Sequence, residues 1–216
     1  NEFILIKFIF LLFCFLTIIN GSNFIDGFNG LLLIHAAIIM IVLFIINSHN
    51  DLYNEIFIVL NLIIIILLLN FPNAKLFLGD SGAYTIGFLI SSYIIQTSNL
   101  NEKISPFFFC ILLFYVFFEV LFSFIRKRAF KLNPLFPDNN HLHMKLFKIL
   151  NSKYLDNKSK ANYTTSIIIN TAYILTVLPA FFYLENNLFC KFYFIFCLLM
   201  YLISYSLLNY IQKKTD

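Results

Sequence analysis

Three short polar stretches interrupt an otherwise apolar chain, and they hold most of the side chains that could do chemistry. The first, Asn20-Gly21-Ser22-Asn23-Phe24-Ile25-Asp26-Gly27-Phe28-Asn29-Gly30, spaces Asn23, Asp26 and Asn29 among glycines whose tight turns leave backbone amides exposed. It reads either as a capped turn or as a polar pocket. The second, residues 70–83, closes on Gly79-Asp80-Ser81-Gly82. Asp80 or Ser81 there can cap the next helix, worth about 1 kcal/mol. Alternatively, the helix-terminal amides and the Asp80 carboxylate can hold a magnesium diphosphate, since helix N-termini attract anions and Mg2+ favours one or two protein oxygens plus phosphate. The third, residues 133–144, contains His141 and His143. An extended segment puts both rings on one side, whereas a helix turns only one of them into a site. Zinc is disfavoured, because that loop supplies no further Cys or His ligand.

One more ionisable group lies inside an apolar run. Glu119 must face protein or a water-filled cavity with a partner. Arg126, seven residues on, shares its face roughly, and Arg128 is near; these are the only arginines in the chain. They suit either phosphate binding or anchoring at a membrane surface.

The elements that must position these groups follow from composition. The chain has 216 residues, 60% hydrophobic and 12% charged, with mean hydropathy +0.84. A single water-soluble core could not bury that much apolar surface, so the chain is read as a polytopic membrane protein. A helix needs about 20 residues to cross about 30 Å of hydrocarbon. Seven apolar runs approach that length, near 3–19, 31–47, 55–69, 83–96, 106–125, 164–184 and 191–211. They lack barrel-like alternation, and lipid cannot satisfy unpaired backbone, so they are expected to be helices. The expected fold is an all-α bundle of about seven transmembrane helices in one integral-membrane domain, residues 1–216, with a basic loop over 126–163.

Seven crossings put all three polar stretches on one side. The basic loop carries nine Lys or Arg between Arg126 and Lys160, so that side is expected to be cytoplasmic. The net charge of +4 follows from this asymmetry and an anionic leaflet, not from nucleic acid. Residues 142–150 form an amphipathic pattern suited to a membrane surface, and the last two helices read as packing elements. Cys14, Cys110, Cys190 and Cys197 lie in or beside apolar runs and are expected to be buried free thiols. The chain opens almost directly into a helix without an initiator Met, which reads as a fragment.

Asn23-Phe-Ile-Asp-Gly-Phe-Asn-Gly-Leu, the stretch from Asn70 through Gly-Asp-Ser-Gly-Ala, and Pro137-Asp-Asn-Asn-His-Leu-His together resemble three motifs of the polyprenyl-phosphate N-acetylhexosamine-1-phosphate transferases, glycosyltransferase family 4. The Pro-Asp-x-x-His-x-His form is closer to the undecaprenyl-phosphate N-acetylglucosamine-1-phosphate branch than to the muramoyl-pentapeptide branch. The resemblance implies a phosphotransferase of the bacterial cytoplasmic membrane, active on its cytoplasmic face in cell-wall or lipopolysaccharide synthesis. It would move N-acetylhexosamine-1-phosphate from a UDP-N-acetylhexosamine to undecaprenyl or another polyprenyl phosphate and release UMP. Carried over, Asp80 would be the principal Mg2+ ligand, with Mn2+ as an alternative ion and Asn23 as a second oxygen donor. Asp26, His141 and His143 join Asp80 in the catalytic set. Asn23, Asp26, Asn29, Asn70 and Phe77 would line the nucleotide pocket, and the two histidines with Arg126 and Arg128 would hold the diphosphate. A homodimer is compatible with the family.

The chain departs from the family pattern at Asn29, Asn139, Met144 and Ala83, and it lacks the family's amino-terminal Asp-Asp motif. It is therefore expected to be the carboxy-terminal part of a member and inactive alone. The alternatives are a transporter or channel subunit, suggested by Glu119 and the broken helix junctions, and a non-catalytic remnant of the transferase.

Overall fold

A computed structural model describes residues 2–133, 136, 138–155 and 157–214. Pro137 of the histidine motif lies outside the described residues. Within them every element is helical: α1 (Glu2–Ile25), α2 (Leu31–Ile46), α3 (Leu52–Asn70), α4 (Gly79–Leu100), α5 (Pro106–Leu112), α6 (Phe114–Ala129), α7 (Leu142–Ile149), α8 (Lys158–Phe182) and α9 (Asn187–Lys213). A single π-helical turn, Leu150–Tyr154, follows α7.

Each of the seven apolar runs is helical, but seven crossings are not established. Four helices are long and apolar enough to span a bilayer, namely Ile4–Ile25 within α1, then α3, α8 and α9. The α5–α6 pair makes a fifth only if its 75° bend is one broken span. Its break has a local cause. The Tyr173 hydroxyl donates to the Leu112 carbonyl at 2.6 Å, taking an acceptor that a straight helix gives to its own next turn. Helix α2 is shorter, at 16 residues, and α4 carries Ser, Thr, Asn and Gln along its length. The chain is thus an all-α, multi-pass membrane protein with its polar connections gathered at helix ends.

Close helix approach depends on two glycines. A Cβ on Gly21 would lie 2.4 Å from the Val116 carbonyl of α6, and one on Gly87 would lie 2.8 Å from the Ile19 Cα. The second half of α1 is therefore wedged between α4 and α6, with Ile18, Ser22 and Ile25 buried. Its first half presents Ile4, Phe8 and Phe10 outward, as a lipid-facing surface does. Helix α2 packs on α3, α4 and α8, and it supplies the centre of the core through Leu31, Leu32, Ile39 and Leu43. Side-chain oxygens of Asn157 and Asn186 cap α8 and α9.

All four cysteines are free, as expected, but they are not all buried: Cys110 is exposed on α5. The amphipathic segment does form α7. It packs against α8 and α9 and buries His143 and Lys145 as well as Leu142 and Ile149, so the face that meets protein is mixed and not simply apolar.

Candidate functional site

The site begins where α1 ends. Gly30 has a left-handed backbone, φ 76°, and a Cβ there would approach Phe71 Cδ2 to 2.7 Å, so only glycine fits this turn against the α3 terminus. Asn70, the last residue of α3, locks the turn. Its Oδ1 accepts from the Gly30 amide at 2.6 Å while its Nδ2 donates to the Leu76 carbonyl at 2.7 Å. Asn29 ties the same two loops, donating from Nδ2 to the Pro72 carbonyl at 2.7 Å, and its amide donates to Asn162 Oδ1 on α8 at 2.8 Å. Asn29 and Asn70 thus spend their amide groups on the framework.

Pro72 ends α3 by lacking an amide donor, and Gly79, at φ 63°, opens α4. Asp80 sits exposed in the first turn of α4 and its side chain makes no hydrogen bond among the described residues. The cap position is Leu78, without a side-chain bond, so capping does not account for Asp80.

Asp26, just past the end of α1, is half-buried and makes no side-chain hydrogen bond among the described residues. Burial first, and the charge of Asp80 second, push its carboxyl up to about 6. Neither carboxylate has an ion-pair partner among the described residues. Two carboxylates near enough for one to feel the charge of the other are a donor pair that a divalent ion would satisfy. No larger group of three His, Cys, Asp or Glu gathers among the described residues. Asn23 completes this corner, donating from Nδ2 to the Tyr84 hydroxyl at 3.3 Å.

The histidines reach the same corner from the other side. His141 is extended, φ −67° and ψ 155°, and only then does α7 begin. That extended residue keeps the two rings together, parallel and 5.5 Å apart, instead of splaying them as a continuous helix would. The Phe24 ring lies 5.4 Å from His141 and the Phe28 ring 5.3 Å from His143, joining the first motif to the third. His141 Nδ1 is 2.9 Å from Glu119 Oε2, so the partner of Glu119 is a histidine and not an arginine. His143 is fully buried beside the Tyr115 hydroxyl at 3.0 Å, and burial pulls its imidazole down to about 4, leaving it neutral.

The arginines are placed differently from the sequence reading. Arg126 is held by Asp138, the Asn140 carbonyl, Tyr205 and Ser123, as a brace for the histidine loop. Burial would raise the Asp138 carboxyl, but Arg126, His141, the Asn140 amide and Ser123 outweigh it and hold it below the usual carboxylate range. Arg128 lies exposed over Phe124, 5.7 Å from its ring centre. Phe77 is 76% exposed on the α3–α4 loop. The structure therefore brings together Asn23, Asp26, Asp80, His141 and His143, with Asn29 and Asn70 beneath them, and leaves Arg128 and Phe77 at the periphery.

Several supporting residues carried no signal in the sequence. Tyr84, Asn162, Tyr201 and Tyr205 sit in helical runs without motifs, and only contacts across the fold reveal them. Tyr201 and Tyr205 lie on α9, which the sequence read as packing alone. His35 is packed in α2 with its ring centre 3.8 Å from that of Tyr173, and neither of its ring nitrogens has a hydrogen-bond partner among the described residues.

Comparison with known proteins agrees with the motifs. Residues 1–98 match the model of Glycosyl transferase family 4. Over 137 residues, 62% of this chain, it is 30% identical to an undecaprenyl-phosphate alpha-N-acetylglucosaminyl 1-phosphate transferase of Thermotoga maritima, covering 41% of that protein. Over 159 residues it is 27% identical to a decaprenyl-phosphate N-acetylglucosaminephosphotransferase of Mycolicibacterium smegmatis, covering 38% of it. The chain thus spans well under half the length of these relatives. No solved structure matches it significantly.

Proposed function

We propose that this chain, which is related to the Glycosyl transferase family 4 enzymes, carries the diphosphate end of a membrane phosphosugar transferase site. The reaction would move N-acetylhexosamine-1-phosphate from a UDP-sugar to a polyprenyl phosphate on the cytoplasmic face of a bacterial inner membrane. The observation that carries the reading is the convergence of three motifs from distant parts of the chain on one corner. There Asp26 feels the charge of Asp80, and Phe24 contacts His141.

In this reading Asp80 and Asp26, with the Asn23 amide oxygen, hold Mg2+, which when bound offsets the charge of the substrate phosphates. Asp80 is open to solvent and to substrate, whereas Asp26 is held at the end of α1. His141 presents the lone pair of Nε2 to the bound nucleotide, as an acceptor for one of its hydroxyl groups. Neutral, buried His143 and Phe28 back the loop and exclude water beneath it. Asn29 and Asn70 fix the two loops so that the carboxylates and the histidine keep their separation, the positioning on which phosphoryl transfer depends. An oxygen of the lipid phosphate attacks the phosphorus that bears the sugar, the bond from that phosphorus to the bridging oxygen breaks, and UMP leaves. The transporter alternative loses its main support, since Glu119 is buried and held by hydrogen bonds with His141, Leu142 and Tyr201.

The test is equilibrium binding of UDP-N-acetylglucosamine to the purified chain in detergent, with and without Mg2+. The Mg2+-dependent part of the affinity is expected to fall by about tenfold or more in Asp80→Asn, equivalent to about 1.4 kcal/mol or more. An Asp80→Asn chain that binds within about threefold of its parent overturns the assignment.

A further inference from the structure

We propose that Glu119, buried in α6 and 22 residues before His141, is the positioning residue of the His-x-His loop: it fixes the tautomer and direction of His141 so that Nε2 is the free end. What Nε2 meets rests on the transferase reading above; the positioning does not.

Three bonds carry the inference. Glu119 Oε2 pairs with His141 Nδ1 at 2.9 Å, while Oε1 accepts from the Leu142 amide at 3.1 Å and from the Tyr201 hydroxyl at 2.9 Å. Leu142 is the first residue of α7, and His141, at the cap position, makes no side-chain cap bond. One of the orphan amides of the first turn, that of the first helical residue, is satisfied by a carboxylate from another helix, where no cap side chain contributes. One buried side chain therefore sets both where α7 starts and how the residue before it turns its ring.

The chemistry follows from donor and acceptor roles. An ionised carboxylate can only accept, so Nδ1 must carry the proton. The Phe24 ring on one side and the parallel His143 ring on the other confine the imidazole. Nε2, across the ring from Glu119, has no hydrogen-bond partner among the described residues. Tyr201 matters because it holds the carboxylate from α9 and so sets its angle. The arrangement is that of a second group orienting a functional histidine by its far nitrogen.

Glu119→Gln separates positioning from packing. The amide oxygen of Gln can still accept from Leu142 and Tyr201, but its NH2 would face Nδ1 and demand a lone pair there, which moves the ring proton to Nε2. Nitrogen-15 spectra of the histidine rings in detergent micelles, with His141 assigned by its loss in His141→Gln, read the tautomer directly. Equilibrium binding of UDP reads the consequence. The expected result is an Nδ1-protonated His141 in the parent and an Nε2–H tautomer in Glu119→Gln. UDP affinity should fall by about tenfold or more, with unchanged helix content, and Glu119→Asp should recover part of both. An unchanged His141 spectrum in Glu119→Gln overturns the proposal, and so does an altered spectrum with unaltered UDP affinity. A parent chain that binds no UDP counts against the transferase reading instead, and the ring spectra then decide the positioning by themselves.

Discussion

Replacing Asp26 by Asn should stabilise the protein at neutral pH, although it removes a residue of the candidate site. The folded protein raises this carboxyl from 3.8 to about 6, so folding disfavours its ionised form. The stability associated with the group is complete below about pH 4. It is lost as pH rises to about 6, and it stays lost above that. A shift of about two units corresponds to about 3 kcal/mol at 1.36 kcal/mol per unit. Asp26 is only half-buried, so solvent screening reduces this to about 1–2 kcal/mol. Asn keeps the size of the side chain and sacrifices no hydrogen bond, because the Asp26 carboxylate makes none among the described residues. Burial is the larger cause and Asp80 the smaller, so Asp80→Asn should recover less than half as much as Asp26→Asn.

The assay is unfolding of the purified chain in mixed micelles, followed by helical signal from pH 4 to 8 with divalent ions chelated. The variant-minus-parent difference should be near zero at pH 4 and reach its plateau above pH 6. Added Mg2+ should stabilise the parent more at pH 7.5 than at pH 4.5, and should do so less for either variant. A difference that is independent of pH, or an Asp26→Asn chain less stable than its parent at pH 7.5, would refute the reasoning. An Asp80→Asn gain exceeding that of Asp26→Asn would refute the ranking of causes.

The framework beneath the site offers two further tests. Gly30→Ala forces a side chain into a left-handed turn against Phe71 and should cost about 1–3 kcal/mol in the same unfolding assay; a loss under about 0.5 kcal/mol would show that the loop relaxes freely. Asp138→Asn should also destabilise, by about 3 kcal/mol, because it strands the largely buried Arg126 guanidinium. Faster proteolysis within 130–141 should accompany that loss, and an unaltered cleavage rate would show that Arg126 does not brace the loop.

The sequence by itself determined the helical class, the membrane environment and the places where polar chemistry could sit. These rest on local quantities: runs of apolar residues that only a helix can carry through lipid, and Pro72 and Gly79 at chain breaks whose backbone no other arrangement satisfies. Residues 20–30, 70–83 and 133–144 were visible for the same reason, since an apolar background makes each polar interruption conspicuous. Tertiary structure decided how those residues divide their work. Asn29 and Asn70 face each other's loops, and Asp80 is left free at α4 with Asp26 near enough to feel its charge. Arg126 is spent on Asp138. Glu119 pairs with His141 and not with the arginine one heptad away, because its partner comes from the loop folded back over α6. Sequence spacing could suggest the i+7 pair but carried nothing about that return path. Tyr84, Asn162, Tyr201 and Tyr205 could not have been found earlier: a tyrosine or asparagine within a helical run has no local signature, and its role exists only once another helix delivers the group it bonds.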